Sequence, residues 1–211
     1  TYTINKEEYI GKFILDLGSS VTVFNSTKSI IANGHGDFEA IGGIGGKTTG
    51  QTIFINQFKL GKQSIYNFPI DISNDTEGAL SSSEYDGLLG NDILDDFDLI
   101  IDLKKSKLYL RPNKKNNKHK KFFYKSFSFI DNSKIDKSWL VSYIYLNTDA
   151  YRRGLRLNDK ITAINNISVE KLDRIEFYKS LKLDQELELT IIRANNLMKI
   201  KFILNKFLNA E

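Results

Sequence analysis

The sequence predicts a mainly β lobe followed by a small α+β module, and three observations carry that prediction. Up to Pro112 the chain is built of short apolar and β-branched runs punctuated by glycine. A basic, Asn-rich run, "KKNNKHKK" at 114 to 121, then interrupts the pattern. Helical spacing joins the strand-like runs only beyond it, so the expected division is a lobe over 1–112, a basic linker over 113–121 and a second module over 122–211. A chain of 211 residues is long enough for two small cores.

Within the first part, "YIGKFILDL" reads as an extended apolar stretch and "SVTVF" as β-branched. "QTIFINQFKLGKQSIYNFPIDI" alternates, with turn signals at Asn56-Gln57 and Gly61-Lys62. "EAIGGIGGKTTG" has four glycines in five residues and reads as extended and flexible. "DGLLGNDILDDF" suggests a strand entering a short helix, and "FDLIIDLKKSKLYLRPN" a hairpin turning near Lys104 to Ser106. In the second part "FFYKSFSFI" and "WLVSYIYL" are strand-like. "NTDAYRRGL" reads as a short helix capped at Asn147 or Thr148 and stopped by Gly154. "RLNDKITAINNISV" is a strand and a turn, and "VEKLDRIEFYKSL" places Leu172, Ile175, Phe177 and Leu181 at helical spacing. "ELELTIIRANNLMKIKFIL" is two strands joined through Asn195-Asn196.

Composition removes several function classes. With 41% hydrophobic and 27% charged residues the chain is globular rather than disordered or fibrous, and no apolar run reaches bilayer length. The net charge of +4 is modest and concentrated in the linker, without an aromatic-interleaved basic face, so no nucleic-acid partner is expected. Cysteine is absent, which excludes disulfides, thiolate catalysis and cysteine-based zinc sites. Asp92, Asp95, Asp96 and Asp98 lack the glycine and terminal Glu of a calcium loop, so neither metal nor cofactor is expected. His35 and His119 accompany no nucleophile elbow, which argues against a Ser-His-Asp hydrolase. The chain starts at Thr1 without a leader pattern, as a processed or trimmed product would.

One carboxylate stands out. Asp16 in "GKFILDLGSS" sits between an apolar run and a Gly-Ser-Ser turn, where a bland strand-end role competes with a catalytic one. "FILDLGSS" resembles the Asp-Thr-Gly-Ser/Ala signature of retropepsin-like aspartic proteases, "IGGIGG" at 41 to 46 their glycine-rich flap, and "GLLGNDIL" at 87 to 94 their apolar-apolar-Gly element. The order and spacing of the three agree over about a hundred residues. The resemblance implies a closed β-barrel lobe in which Asp16 is catalytic and Leu17, Gly18 and Ser19 form its loop. It makes Ile41, Gly42, Gly43, Ile44, Gly45 and Gly46 the substrate-covering flap and Gly90, Asn91 and Asp92 the loop support. It further implies a polypeptide substrate and a second aspartate, contributed by a homodimer mate or by a further lobe encoded upstream. Leu17 departs from the pattern, because it replaces a Thr or Ser whose hydroxyl cross-links the two loops.

"TDAYRRGLRLNDKITAINN" resembles the core of bacterial PDZ domains through Asp149-Ala150, Gly154-Leu155, Asn158 to Ile161 and Ile164 to Asn166. That implies a peptide ligand added as a strand. The segment "DNSKIDKSWLVSYI" contains no glycine, which argues against capture of a free carboxylate. The combination resembles exported bacterial aspartyl proteases with a C-terminal PDZ domain, and implies a periplasmic or envelope location. Two readings follow: an aspartic endopeptidase with Asp16 as one half of a dyad, and a non-catalytic protease-like and PDZ peptide-binding scaffold.

Overall fold

The computed structural model describes residues 1–4, 6–25, 36–42, 46–113 and 126–204. The linker residues from 114, His35, His119 and the tip of the glycine-rich hairpin lie outside them. The chain divides into two compact units, one of residues 1–33 and 52–121, the other of 34–51 and 122–211. The sequence reading placed 34–51 in the first lobe, whereas here these residues belong to the second unit.

In chain order the first strands are β1 (Tyr2–Ile4), β2 (Glu7–Tyr9), β3 (Phe13–Leu15), β4 (Val23–Phe24), β5 (Gly36–Gly42), β6 (Gly46–Leu60) and β7 (Gln63–Ser73). They are followed by β8 (Gly87–Leu89), the single helical turn α1 (Asn91–Leu94), β9 (Phe97–Asp102) and β10 (Lys107–Pro112). The first unit is an open sheet in the order β2, β1, β6, β7, β4, β8, β3, with β9 and β10 pairing only with each other among the described residues. The closed barrel expected from the resemblance is therefore not formed. Its terminal strands β2 and β3 are three residues each and leave too short a ladder to close the sheet.

The β6–β7 turn falls at Gly61-Lys62 as expected, with Gly61 at φ 61, a conformation glycine adopts without strain. Asn56-Gln57 is not a turn. Gln57 instead pairs with Thr3 of β1, and its Nε2 donates to Ser64 Oγ at 3.2 Å, so the outer strand carries β6 straight through. The core of this unit is aromatic. The rings of Tyr2 and Phe24 lie 4.8 Å apart, Phe13 and Phe24 5.2 Å, and Phe13 and Phe58 5.6 Å.

The second unit contains β11 (Phe127–Asn132), α2 (Ser133–Asp136), β12 (Ser138–Tyr145), α3 (Asp149–Arg152), β13 (Lys160–Ile164), β14 (Ile167–Ser168), α4 (Arg174–Ser180), β15 (Glu186–Arg193) and β16 (Asn196–Ile203). Thr148 caps α3 and Gly154 ends it at φ 104, while Asp173 caps α4 through Ile175 and Glu176. The β15–β16 loop is Ala194-Asn195, one residue earlier than the sequence suggested, with both residues at positive φ as a tight two-residue hairpin requires. Strand β5 joins this sheet: Ala40, Glu39 and Phe38 pair antiparallel with Tyr143, Ile144 and Tyr145 of β12, and the Phe38 and Tyr143 rings stack at 4.9 Å. This pairing is why 34–51 goes with the second unit.

Trp139, Val141, Ile144, Leu155, Ile161 and Leu189 are fully buried at its centre, with Phe129 stacked on Trp139 at 4.2 Å. Asp159 is fully buried too. Arg193 meets it as a fork, Nε to Oδ1 at 2.6 Å and Nη2 to Oδ2 at 2.7 Å, and the Arg156 backbone N–H donates to Oδ2 at 2.8 Å.

Removing one partner of such a pair strands the other charge. Arg193→Met is expected to lower unfolding free energy by about 3–5 kcal/mol, read as a drop in the denaturant midpoint. A second expectation concerns alkaline pH. Burial first, then the Asp86 and Tyr9 charges, push the Tyr2 hydroxyl up to about 12 from its ordinary 10.0. The unfolded chain therefore ionises first, and the contribution of neutral Tyr2 is intact below about pH 10 and lost as pH rises toward about 12. Tyr2→Phe is expected to make that alkaline loss shallower in pH-dependent melting. Burial raises the Tyr178 hydroxyl as well, so part of the slope remains.

Candidate functional site

Asp16 follows β3 directly, and its backbone N–H donates to the Leu89 carbonyl at 3.0 Å, extending the parallel β3–β8 ladder by one bond. The chain then loops through residues 17 to 22 and returns as β4, which pairs with the other edge of β8. Strand β8 thus lies between the strands that enter and leave the Asp16 loop.

The loop folds onto the carboxylate. Oδ1 of Asp16 accepts from Gly18 N at 2.8 Å and Ser19 N at 3.2 Å, an Asx-type turn. Among the described residues all hydrogen bonds to this side chain go to Oδ1, and Asp16 is half-buried. A Cβ on Gly18 would sit 3.2 Å from that oxygen, a tight approach that glycine avoids. The Ser19 hydroxyl does not reach the acid; it donates to the Val21 carbonyl at 2.7 Å.

Gly90, Asn91 and Asp92 all contact this loop. Asn91 N donates to the Ser19 carbonyl at 2.9 Å and Asn91 Nδ2 to the Leu17 carbonyl at 2.8 Å. Asp92 accepts Thr22 N on Oδ2 at 2.8 Å, and the Thr22 hydroxyl at 2.6 Å and Ile93 N at 2.8 Å on Oδ1. Thr22 Oγ1 in turn accepts Gly90 N at 3.1 Å. Gly90 itself has no room for a side chain, because a Cβ would collide with the Val21 carbonyl. Thr22 was not singled out by the sequence reading. Its available signal was a hydroxyl opening the β-branched run "TVF" six positions past Asp16, at the point where the loop must re-enter the sheet.

The remaining predicted residues stand apart. Leu17 is at the loop surface with 52% of its area exposed, so its side chain supports nothing beneath the acid. Ile41 and Gly42 end β5 and Gly46 begins β6, while Gly43, Ile44 and Gly45 lie outside the described residues. Asp98, one of the acidic cluster considered for metal, pairs with Arg111 at 2.8 Å.

In the second unit α4 packs against β11 through its aromatic side chains. The Tyr178 ring stacks on Phe129 at 5.0 Å, and its hydroxyl is hydrogen-bonded to the Phe129 backbone and the Ser128 side chain. Lys137, at φ 58, takes the left-handed turn between α2 and β12 where a glycine was missing. Among the described residues no helix is long and apolar enough to cross a membrane.

No family model matches the chain, and no curated protein matches it. Solved structures similar to it include the HtrA-type protease AlgW with a tripeptide, at 14% identity over 88% of this chain and 68% of that one, TM-score 0.32. The same protease with a decapeptide gives 12% identity over 90% of this chain and 65% of that one, also with a TM-score of 0.32. An aminopeptidase N family protein from Idiomarina loihiensis gives 17% identity over 38% of this chain, TM-score 0.34, and the chain spans 13% of that protein.

The network around Gly90 generates one expectation. Gly90→Ala forces the Val21 carbonyl aside and is expected to cost about 1–3 kcal/mol, seen as a lower melting temperature. Gly46→Ala, where a Cβ meets nothing, serves as a comparison whose cost is confined to its positive φ.

Proposed function

We propose that the chain is one half of an aspartic endopeptidase, with Asp16 as its acid and a second Asp-bearing lobe or copy supplying the other. The observation that carries the reading is the stitching of the Asp16 loop to Gly90, Asn91 and Asp92, residues some seventy positions downstream that the sequence paired with it only by resemblance. A loop tied at both ends and underneath presents its carboxylate in one orientation, which a dyad requires.

The chemistry follows from two carboxylates too close to ionise together. The ionised one takes a proton from a water as its oxygen attacks the peptide carbonyl carbon, while the protonated one donates to the carbonyl oxygen. The tetrahedral adduct collapses with cleavage of the C–N bond, the nitrogen leaving with a proton returned by the dyad. The backbone N–H groups of Gly18 and Ser19, both on Oδ1, hold that oxygen in place and leave Oδ2 as the atom directed at water. An extended polypeptide is the substrate class, and the second unit is the candidate for peptide binding or regulation.

A second reading rests on Leu17, which offers no hydroxyl to a partner loop: a protease-like scaffold that binds polypeptide without cutting it. Incubation with an unstructured polypeptide from acidic to neutral pH separates the two. Asp16→Asn is expected to cut the cleavage rate by roughly 10²–10⁴-fold, and a statine-type transition-state mimic to inhibit the wild type. Cleavage that is unchanged by Asp16→Asn rules out the aspartic reading, and binding without cleavage favours the scaffold.

A further inference from the structure

The β9–β10 hairpin presents a face that the other described residues leave bare. Of its inner row, Phe97, Leu99, Leu108 and Leu110 are buried or half-buried, and Ile101, opposite Leu108 near the turn, is 45% exposed. The outer row consists of three cross-strand pairs, Asp98 with Arg111, Ile100 with Tyr109 and Asp102 with Lys107. Ile100 is 66% and Tyr109 46% exposed. An isolated two-stranded sheet is marginal in water, and large apolar side chains opposite one another on its open face are where further contact stabilises it.

The charges of that face fix what fits it. β9 contributes an acid–apolar–acid row, Asp98, Ile100 and Asp102, and β10 a base–aromatic–base row, Lys107, Tyr109 and Arg111. Consider a second hairpin laid face to face about a two-fold axis parallel to the strands. β9 of one copy then lies over β10 of the other, so Asp98 faces the second copy's Arg111, Ile100 its Tyr109 and Asp102 its Lys107. A two-fold axis across the strands instead sets Asp98 against Asp102. Only the first arrangement gives an apolar centre within a charge-matched rim.

We propose that this face is a self-complementary docking surface for a second copy of the chain. The contact stands on the hairpin alone. A six-residue face is small beside the roughly 1,200 Å² of a stable interface, so association is expected to be weak and concentration-dependent.

Sedimentation of the whole chain over a dilution series tests this. The wild type is expected to pass from monomer to dimer, and Ile100→Lys to weaken dimerisation by at least about tenfold. Arg111→Asp sets like charges against Asp98 and is expected to weaken it similarly, while the double exchange Asp98→Arg with Arg111→Asp restores it. These side chains face solvent in the single chain, so circular dichroism is expected to be unchanged, and a loss of dimer in a variant reports on the contact rather than on folding. A wild type that stays monomeric throughout overturns the proposal, as does a dimer indifferent to Ile100→Lys. Asp16→Asn separates the two inferences: a hairpin-dependent dimer whose cleavage survives that change leaves the contact standing and removes the protease. A monomer whose cleavage is lost with Asp16 does the reverse.

Discussion

The first unit depends on the hydrogen-bonded knot of Thr22, Asp92 and Gly90. One buried hydroxyl and one half-buried carboxylate join segments about seventy residues apart. Thr22 is 1% exposed and uses its backbone N–H and its hydroxyl on the same carboxylate, so the two groups are fixed in position and in orientation. The knot holds β4 against β8 at the point where the Asp16 loop rejoins the sheet. Without it the two Thr22 donors would be buried unsatisfied, which costs more than the bonds themselves contribute. The catalytic candidate is thus placed by residues that have no chemistry of their own.

The second unit is organised by a different means. Where a chain rich in glycine would turn on glycine, this one uses Lys137, Asn158, Asn165, Asn166, Asp184 and Asn195 at positive φ. Asn and Asp tolerate that region because their short side chains bond locally to the backbone. The residues that resembled a peptide-binding signature have packing roles: Ala150 and Leu155 are fully buried, and Asp159 anchors the Arg193 fork. The signature is thus accounted for by stability, and the ligand it suggests must be argued separately.

Much of this was legible in the sequence because local chemistry decided it. Gly61, the Thr148 cap, the Gly154 stop and the Lys104 to Ser106 hairpin turn all follow from backbone preferences that act within a few residues. What was not legible depended on distant partners. Asn56-Gln57 has turn composition, yet a neighbouring strand holds it extended. The open sheet could not be told from a barrel, since closure depends on whether the edges of β2 and β3 meet, strands that local sequence does not pair: β2 takes β1 and β3 takes β8, some seventy residues on. At the site, Asp16 and Gly90 to Asp92 were found as separate motifs, whereas Thr22 was missed because a threonine opening a strand looks like β propensity.

The pairing of β5 with β12 has a consequence for how the chain is made. Phe38 to Ala40 leave the ribosome roughly a hundred residues before Tyr143 to Tyr145, the strand they join. Contacts of such long sequence separation form late, because the intervening chain must be closed into a loop first. Throughout synthesis of the first unit, then, a strand carrying an aromatic–acidic–small run waits with an unsatisfied edge. The second unit can complete its sheet only by reaching back to a segment translated before most of its neighbour.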